Sequence, residues 1–309
     1  MRLRTWIEPA DTKAAQLLAR RMWPRGPLHP GGLGWESATD QLPDPRTVAD
    51  DGGNGIAGWA GLADGELVLQ ADPDVPEAAR LLIQWATDTA GAMDLRVAVY
   101  DGDNAVREAV TQAGFTPDPG ASAVTGMFMA ARAVRPALPG GYRVRSVTKD
   151  ELDARVAVHR AAWRPADLPW PGEMPPGVTA NSESRMTAAL HARVRATWLY
   201  DPDLDLVVEA PDGTLAGSCI VWWDPALKCA EIEPLGVVPR HRRKGLAGAM
   251  CLEAVSRVAA LGGTQVFINV GPRPEYPAPA AAYLAAGFEV VTRGRIYHRI
   301  PSEAWPGAG

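Results

Sequence analysis

Residues 237–250 read VVPRHRRKGLAGAM: an apolar strand-like start, a proline, a basic run, and a glycine that opens an apolar stretch. Four of the five residues from Arg240 to Lys244 are formally cationic, although the whole chain carries a net charge of −5. The positive charge is therefore local. The first N–H groups of a helix lack partners within it, and the macrodipole adds partial positive charge at the same end. A strand that turns through Pro239 into a helix opening after Gly245 aims those groups at one point, a seat for a phosphate or pyrophosphate. The backbone of Arg243, Lys244, Gly245, Leu246, Ala247 and Gly248 supplies the donors in this reading. Gly245 and Ala247 leave room for close approach, and Arg242, Arg243 and Lys244 screen the ligand charge. A Walker-type loop needs Gly-Lys-Ser/Thr and a dinucleotide fingerprint needs G-x-G-x-x-G, and neither is present.

Outward from this stretch the chain divides. The segment ARAVRPALPGG at 131–141 carries two prolines and a Gly-Gly pair and reads as a linker. It separates residues 1–135 from residues 142–309, with 136–141 between them. In the second part, Tyr142–Val147 alternates as a strand and Thr148 caps a helix from about Lys149 to Trp163. A second helix is expected over Ser182–Trp198. Strands follow at Leu204–Ala210, Leu215–Asp224 and Cys229–Val238, with a Pro-Asp-Gly turn at 211–213. The quoted stretch leads into a helix to about Leu261, then a strand at Gln265–Val270. A proline-rich loop, a helix at Ala278–Ala286 and a strand near Glu289–Ile300 close the chain. The first part repeats the back of this plan: strand Leu67–Ala71, helix Glu77–Ala90, strand Leu95–Tyr100, helix Ala105–Ala113, strand Ser122–Ala130. QAGF at 112–115 echoes AAGF at 285–288, which favours an internal duplication. Alternating strands and helices imply a mixed sheet in each half.

The bulk numbers fit. The chain has 309 residues, 47% hydrophobic and 22% charged, room for two ordinary soluble domains. Its acidity argues against a nucleic-acid binder. No apolar run approaches the ~18 residues of a membrane span, and MRLRTWIEPADTK lacks the pattern of a signal peptide. Cys219, Cys229 and Cys251 are an odd set without metal-ligand spacing, expected in a reducing cytoplasm, and no metal is expected.

V-x-P-x-x-R-x-x-G-x-A at 237–247 resembles motif A of the GNAT acetyltransferase superfamily. AEIEPLGV at 230–237 resembles that family's central strand, and INV at 268–270 with AAYLAAGF at 281–288 resembles its motif B. The likeness spans about 142–300. It implies an α+β fold of two tandem GNAT-like domains, each a mixed, mainly antiparallel twisted sheet flanked by helices. It also implies acetyl-CoA as cosubstrate and transfer of an acetyl group to a primary amine of a small molecule, by direct attack in a ternary complex. The central strand would splay near Gly236–Val238. Val237 and Val238 would pair with the pantetheine arm, and the N–H of Val238 would polarise the thioester carbonyl. Tyr283, in the tyrosine position of motif B, would protonate the leaving thiolate. The family's asparagine about seven residues earlier falls at Tyr276, a departure. A coenzyme-binding regulatory or scaffold protein is the alternative. With a duplicated chain, a monomer or a homodimer is expected.

Residue by residue, Glu231, Glu233, Leu235 and Val237 share one strand face by the period of two. A cleft-side carboxylate there is a general base whose pKa rises on burial; Glu233 is the first choice and Glu231 the second. Asn269 points to the coenzyme cleft or is a satisfied strand amide. The loop Arg164–Val178, with five prolines, bears Trp170 and Glu173 as acceptor contacts. Trp222 and Trp223 point to opposite faces, and Trp222 is taken as the acceptor contact. The first half has ADPDVPEAAR at 71–80 where motif A would fall. Asp72, Asp74 and Glu77 would repel a pyrophosphate, and Val110 stands where Tyr283 stands. That half is read as a degenerate copy that supports the fold or walls the substrate site.

Overall fold

The computed structural model describes residues 1–300 except 51, 54 and 271–275, so most of the proline-rich stretch after Val270 lies outside the described residues. The chain forms two compact units. The first comprises Met1–Leu33, Gln41–Val124 and the chain end from Thr292; the second comprises Gly34–Asp40 and Thr125–Val291. This division departs from a cut at 136–141.

In the first unit, β1 (Arg2–Thr5), β2 (Arg46–Asp50), β3 (Ile56–Ala63) and β4 (Glu66–Ala71) pair antiparallel in order. β5 (Leu95–Tyr100) runs parallel to β4. α1 (Ala10–Met22) and the start of α2 (Pro30–Ala38) precede β2, while α3 (Pro76–Ala90) and α4 (Asn104–Gln112) flank β5 in sequence. A short β6 (Thr116–Pro117) follows. Leu82, Ile83, Val97, Val99 and Phe115 fill one apolar cluster, and Leu18, Leu33 and Trp59 belong to another.

The second unit repeats the pairing. β7 (Val124–Ala130) ends the first half of the chain; β8 (Arg143–Ser146), β9 (Asp205–Glu209), β10 (Leu215–Asp224) and β11 (Cys229–Val237) are antiparallel in order. β12 (Gln265–Ile268) runs parallel to β11. Its helices are α5 (Leu152–Ala162), α6 (Ala188–Arg195), α7 (Leu246–Ala260) and α8 (Ala278–Ala286), and β13 (Glu289–Arg299) closes the series. The sixth strand is exchanged in each unit. β12 pairs antiparallel with β7, from the first half, and β5 pairs antiparallel with Gly294–Arg299 of β13, from the last.

Local chemistry explains most boundaries. Thr148 donates N–H and O–H to the Glu151 carboxylate, which opens the turn before α5. Gly287, at φ 102°, ends α8 in the left-handed conformation that glycine adopts most readily. α6 is shorter than expected, because the Ser184 and Met186 carbonyls are held by Arg160 and Thr187 caps the helix at Leu190 N. In the second unit β10 is buried on both faces. Cys219 and Val221 pack with α7 residues Met250 and Val255, and Ile220 and Trp222 pack with Val156, Val194 and Trp35. Among the described residues no helix is long and apolar enough to cross a membrane.

Candidate active site

β11 pairs with β12 only from Cys229 to Glu231, against Gln265–Phe267, and beyond Glu231 the two strands part. On its other edge the register slips, with Val221 opposite Ile232 but Cys219 opposite Leu235. Glu233 and Pro234 therefore share the place opposite Ile220, a bulge of the kind that re-aims a side chain. It overturns the expectation that Glu231, Glu233, Leu235 and Val237 share one face. Leu235 and Val237 pack with the α7 core, whereas Gly236 faces α5, with Trp163 Nε1 2.7 Å and Ala162 Cβ 2.9 Å from where its Cβ would stand.

Val238 cannot polarise a carbonyl as expected. Its N–H donates to Ala216 O at 3.0 Å, and the residue is 6% exposed. Strand alternation turns the next N–H, that of Val237, toward the parted edge. The Val237 carbonyl on the same edge accepts from Arg242 Nε at 3.0 Å. Arg242 also donates through Nη2 to Ala162 O at 3.2 Å and through Nη1 to Asp167 O. Three of its N–H groups thus go to backbone carbonyls, tying β11 to the end of α5 and the following loop.

The stretch 239–248 folds as a 3-10 turn at Pro239–His241, then a loop with Arg243 at φ 64° and Gly245 at φ 75°. Such left-handed steps turn successive N–H groups inward. The first bond running from α7 back to the loop is Ala249 N to Gly245 O, 3.0 Å, so the donors from Arg243 to Gly248 lie ahead of it. A Cβ on Gly245 would meet nothing within 4 Å. Its positive φ, not space, is what calls for glycine. Arg243 and Lys244 are exposed, and Lys244 Nζ donates to Tyr142 Oη at 2.9 Å.

The carboxylates divide. Glu231 is 1% exposed at the last paired position of the parallel ladder. Glu233 is half-buried, and burial pushes its carboxyl up to about 7. A second carboxylate, unforeseen in the sequence, stands near it: Glu36 of α2. Burial first and the Glu233 charge second push Glu36 up to about 8. Its neighbours fix its place. Trp35 lies 5.8 Å from the His159 ring, Trp35 and Ala38 share a cluster with Trp222, and Arg193 bonds Ser37 O and the Asp40 carboxylate. One signal was available: Glu36 is the only Asp, Glu, Lys or Arg between Arg25 and Asp40.

Tyr283 is 8% exposed, edge-on to Phe288 at 6.1 Å, and burial with the nearby Cys251 and Glu233 holds its hydroxyl well above the usual tyrosine range. Trp222 is no acceptor contact. It is fully buried, and its indole N–H donates to Glu233 O at 2.6 Å, bracing the bulge. Trp170 is half-buried and its ring lies 5.0 Å from that of Tyr276, whereas Glu173 is exposed. Asn269 is half-buried just past β12. Cys219 and Cys251 are enclosed, and burial raises both thiols, Cys219 to about 12, which suits neither for nucleophilic work.

Beneath the site, the fully buried Asp205 accepts from Arg155 Nε at 2.7 Å and Tyr200 Oη at 3.0 Å, with His191 Nε2 at 3.4 Å. Beside them His159 is pushed down to about 3, chiefly by burial and by Arg155.

Residues 170–288, inside the second unit, match the model of the acetyltransferase (GNAT) family. A mycothiol acetyltransferase of Clavibacter michiganensis is 32% identical over 133 residues, 43% of this chain and 38% of that relative. Over nearly their whole lengths, three solved structures share the fold. A GCN5-related N-acetyltransferase from Sphaerobacter thermophilus has a TM-score of 0.55 at 16% identity, covering 96% of this chain and 95% of that one. A GNAT-family acetyltransferase from Colwellia psychrerythraea has 0.57 at 12%, covering 96% and 98%. A tandem GNAT protein from the clavulanic acid biosynthesis pathway has 0.52 at 13%, again 96% and 98%. With the motif A stretch, the parted central strands and the repeated pairing order, residues 170–288 resemble the GNAT acetyltransferase family, and the chain shares the fold of these structures.

Proposed function

We propose that the second unit is an acetyl-CoA-dependent N-acetyltransferase acting on a primary amine of a small molecule. The carrying observation is one strand, β11, that ends in the donor loop at 243–248 and bears Glu233 beside its parted edge. The loop N–H groups hold the coenzyme phosphates, and the acyl arm lies along the open edge of β11, in reach of Val237 N–H. Glu36 and Glu233 attract a substrate ammonium, and Glu233 removes its proton, directly or through water. The amine nitrogen then bonds to the carbonyl carbon while Val237 N–H steadies the oxygen. As the carbon–sulfur bond breaks, Tyr283 gives its proton to sulfur and regains one from the nitrogen, so charge and protons balance.

Trp170 and Glu173 are proposed acceptor contacts, and Asn269 a coenzyme contact. The buried free thiols fit a cytoplasmic enzyme. The resemblance to a mycothiol acetyltransferase puts that enzyme's acceptor in the test panel. Free-thiol release from acetyl-CoA is measured with each amine, on wild type and on Glu233→Gln, Glu231→Gln and Glu36→Gln. Glu233→Gln is expected to lose about 100-fold or more in kcat/KM. A Glu233→Gln enzyme as fast as wild type, with Glu231→Gln inactive, would move the base to Glu231; no release with any amine would sink the reading.

A further inference from the structure

The linker delivers Tyr142 to the donor loop. Half-buried just ahead of β8, its hydroxyl oxygen lies 2.9 Å from Lys244 Nζ and 2.9 Å from His241 Nδ1. Its ring lies under the Lys244 ammonium, 5.3 Å to the centroid, and edge-on to His241 at 5.7 Å. His241 is 8% exposed, and its other ring nitrogen, Nε2, receives Arg240 Nε at 3.0 Å. Arg240 is anchored in turn, through Nη2, on Thr214 Oγ1 at 3.1 Å.

The proton positions in this chain follow from chemistry. A guanidinium only donates, so His241 Nε2 must carry the lone pair, and the neutral ring bears its hydrogen on Nδ1. That hydrogen goes to the Tyr142 oxygen. The ammonium also only donates, so both acceptor positions of the phenol are filled. Burial, with Arg240 and Lys244 outweighing Asp212, keeps His241 neutral below its ordinary 6.5. Lys244 keeps further N–H groups for a ligand, at a position set by Tyr142. A free lysine would lose that freedom only on binding, at the expense of affinity.

We propose that Tyr142 is a positioning residue of the phosphate loop, holding the Lys244 ammonium beside the 243–248 donors and locking His241 as the Nδ1–H tautomer, so that coenzyme phosphates meet a pre-set cation. The inference rests on the acetyl-CoA reading above. It assigns a coenzyme-binding task to a residue that adjoins the linker and lies outside the segment matched to the family.

The test is calorimetry with coenzyme A on wild type, Tyr142→Phe, Lys244→Gln and the double variant, beside steady-state kinetics. Tyr142→Phe should weaken binding about five-fold and Lys244→Gln about ten-fold, with the double variant no worse than Lys244→Gln alone. In Tyr142→Phe the KM for acetyl-CoA should rise by the same factor, against a kcat lowered no more than about two-fold. A purely structural tyrosine would lower the melting temperature and move neither ratio. Should Tyr142→Phe not fold, His241→Leu cuts the same link from the other side, with the same expected loss. Tyr142→Phe binding as tightly as wild type, or losses that multiply in the double variant, overturns the proposal. Wild type that fails to bind coenzyme A overturns this inference together with the reading beneath it. Wild type that binds, loses binding in Gly245→Glu and keeps it in Tyr142→Phe overturns this inference alone.

Discussion

The two units have the same pairing order, three antiparallel ladders, one parallel ladder and an exchanged antiparallel strand, yet they differ where the fourth strand meets its helix. After β11 the chain takes a loop with two left-handed residues, and the donors from 243 to 248 lie ahead of the first helical return bond. After β4 the route is Asp72–Val75, and Asp72 has taken the donors. Its carboxylate accepts Asp74 N at 3.1 Å and its carbonyl accepts Val75 N at 2.9 Å, while Pro76 at the start of α3 has no N–H to offer. One loop leaves its donors ahead of the first helical return bond and the other satisfies them internally. The pairing order is the same in both units although these loops differ, because the sheet's ladders do not depend on the loop.

The widest test of this contrast is Gly245→Glu. A side chain at φ 75° is strained, and a carboxylate in the seat repels phosphate, so coenzyme A affinity should fall roughly 100-fold or more. Gly245→Ala meets open space and bears only the backbone cost, about ten-fold at most. Asp72→Ala in the first unit should change binding less than two-fold. Calorimetry reads all three, and loss of binding in Asp72→Ala would break the comparison.

Next comes the carboxylate pair. Activity should rise with pH as the pair ionises, with its limb near the values of about 7 and 8. Glu36→Gln should shift the limb to lower pH and raise the KM for the amine about ten-fold, since one partner for the ammonium is gone. An unmoved limb in the pH–rate profile would separate Glu36 from Glu233.

Arg242→Gln removes three bonds to carbonyls. We expect amine kcat/KM to drop about ten-fold while coenzyme A affinity changes less than three-fold. Larger losses in coenzyme binding would return Arg242 to the anion seat.

The smallest effect is on stability. Glu36 has a folded value of about 8 against an ordinary 4.5, so the folded state holds its proton more tightly. Its stabilising share is complete below 4.5 and is lost as pH rises through 8. Glu36→Gln should therefore gain a few degrees of melting temperature on wild type at pH 9 compared with pH 5, roughly 2–4 °C. Parallel melting curves at the two pH values would refute this.

Much of the second unit was legible because its signals are local. The Thr148 cap, the Pro211–Gly213 turn and the glycine closing α8 each act over a few residues, and the strands between them are dense in apolar side chains. The opening fifth of the chain, with β1 to β3 and the first two helices, went unread. In β3 seven of eight residues are buried, so partners on both faces rather than one period set its pattern. The site shows the same limit. Trp222 and Trp223 were rightly set on opposite faces, but alternation does not say which face is core. The β11 bulge is a relation between two strands, invisible in either alone.

What the sequence determined by itself is the donor loop, because a strand, a proline, a left-handed glycine and a helix start are contiguous there, and their backbone N–H groups lie ahead of the helix whatever surrounds them. The tertiary structure alone decided which side chains stand beside the parted edge of β11. It set Glu36 near Glu233, tied Arg242 to three carbonyls, closed the Val238 N–H with Ala216 and exchanged the sixth strands. Each of these depends on contacts between residues far apart in the chain, where packing, not spacing, chooses the neighbour.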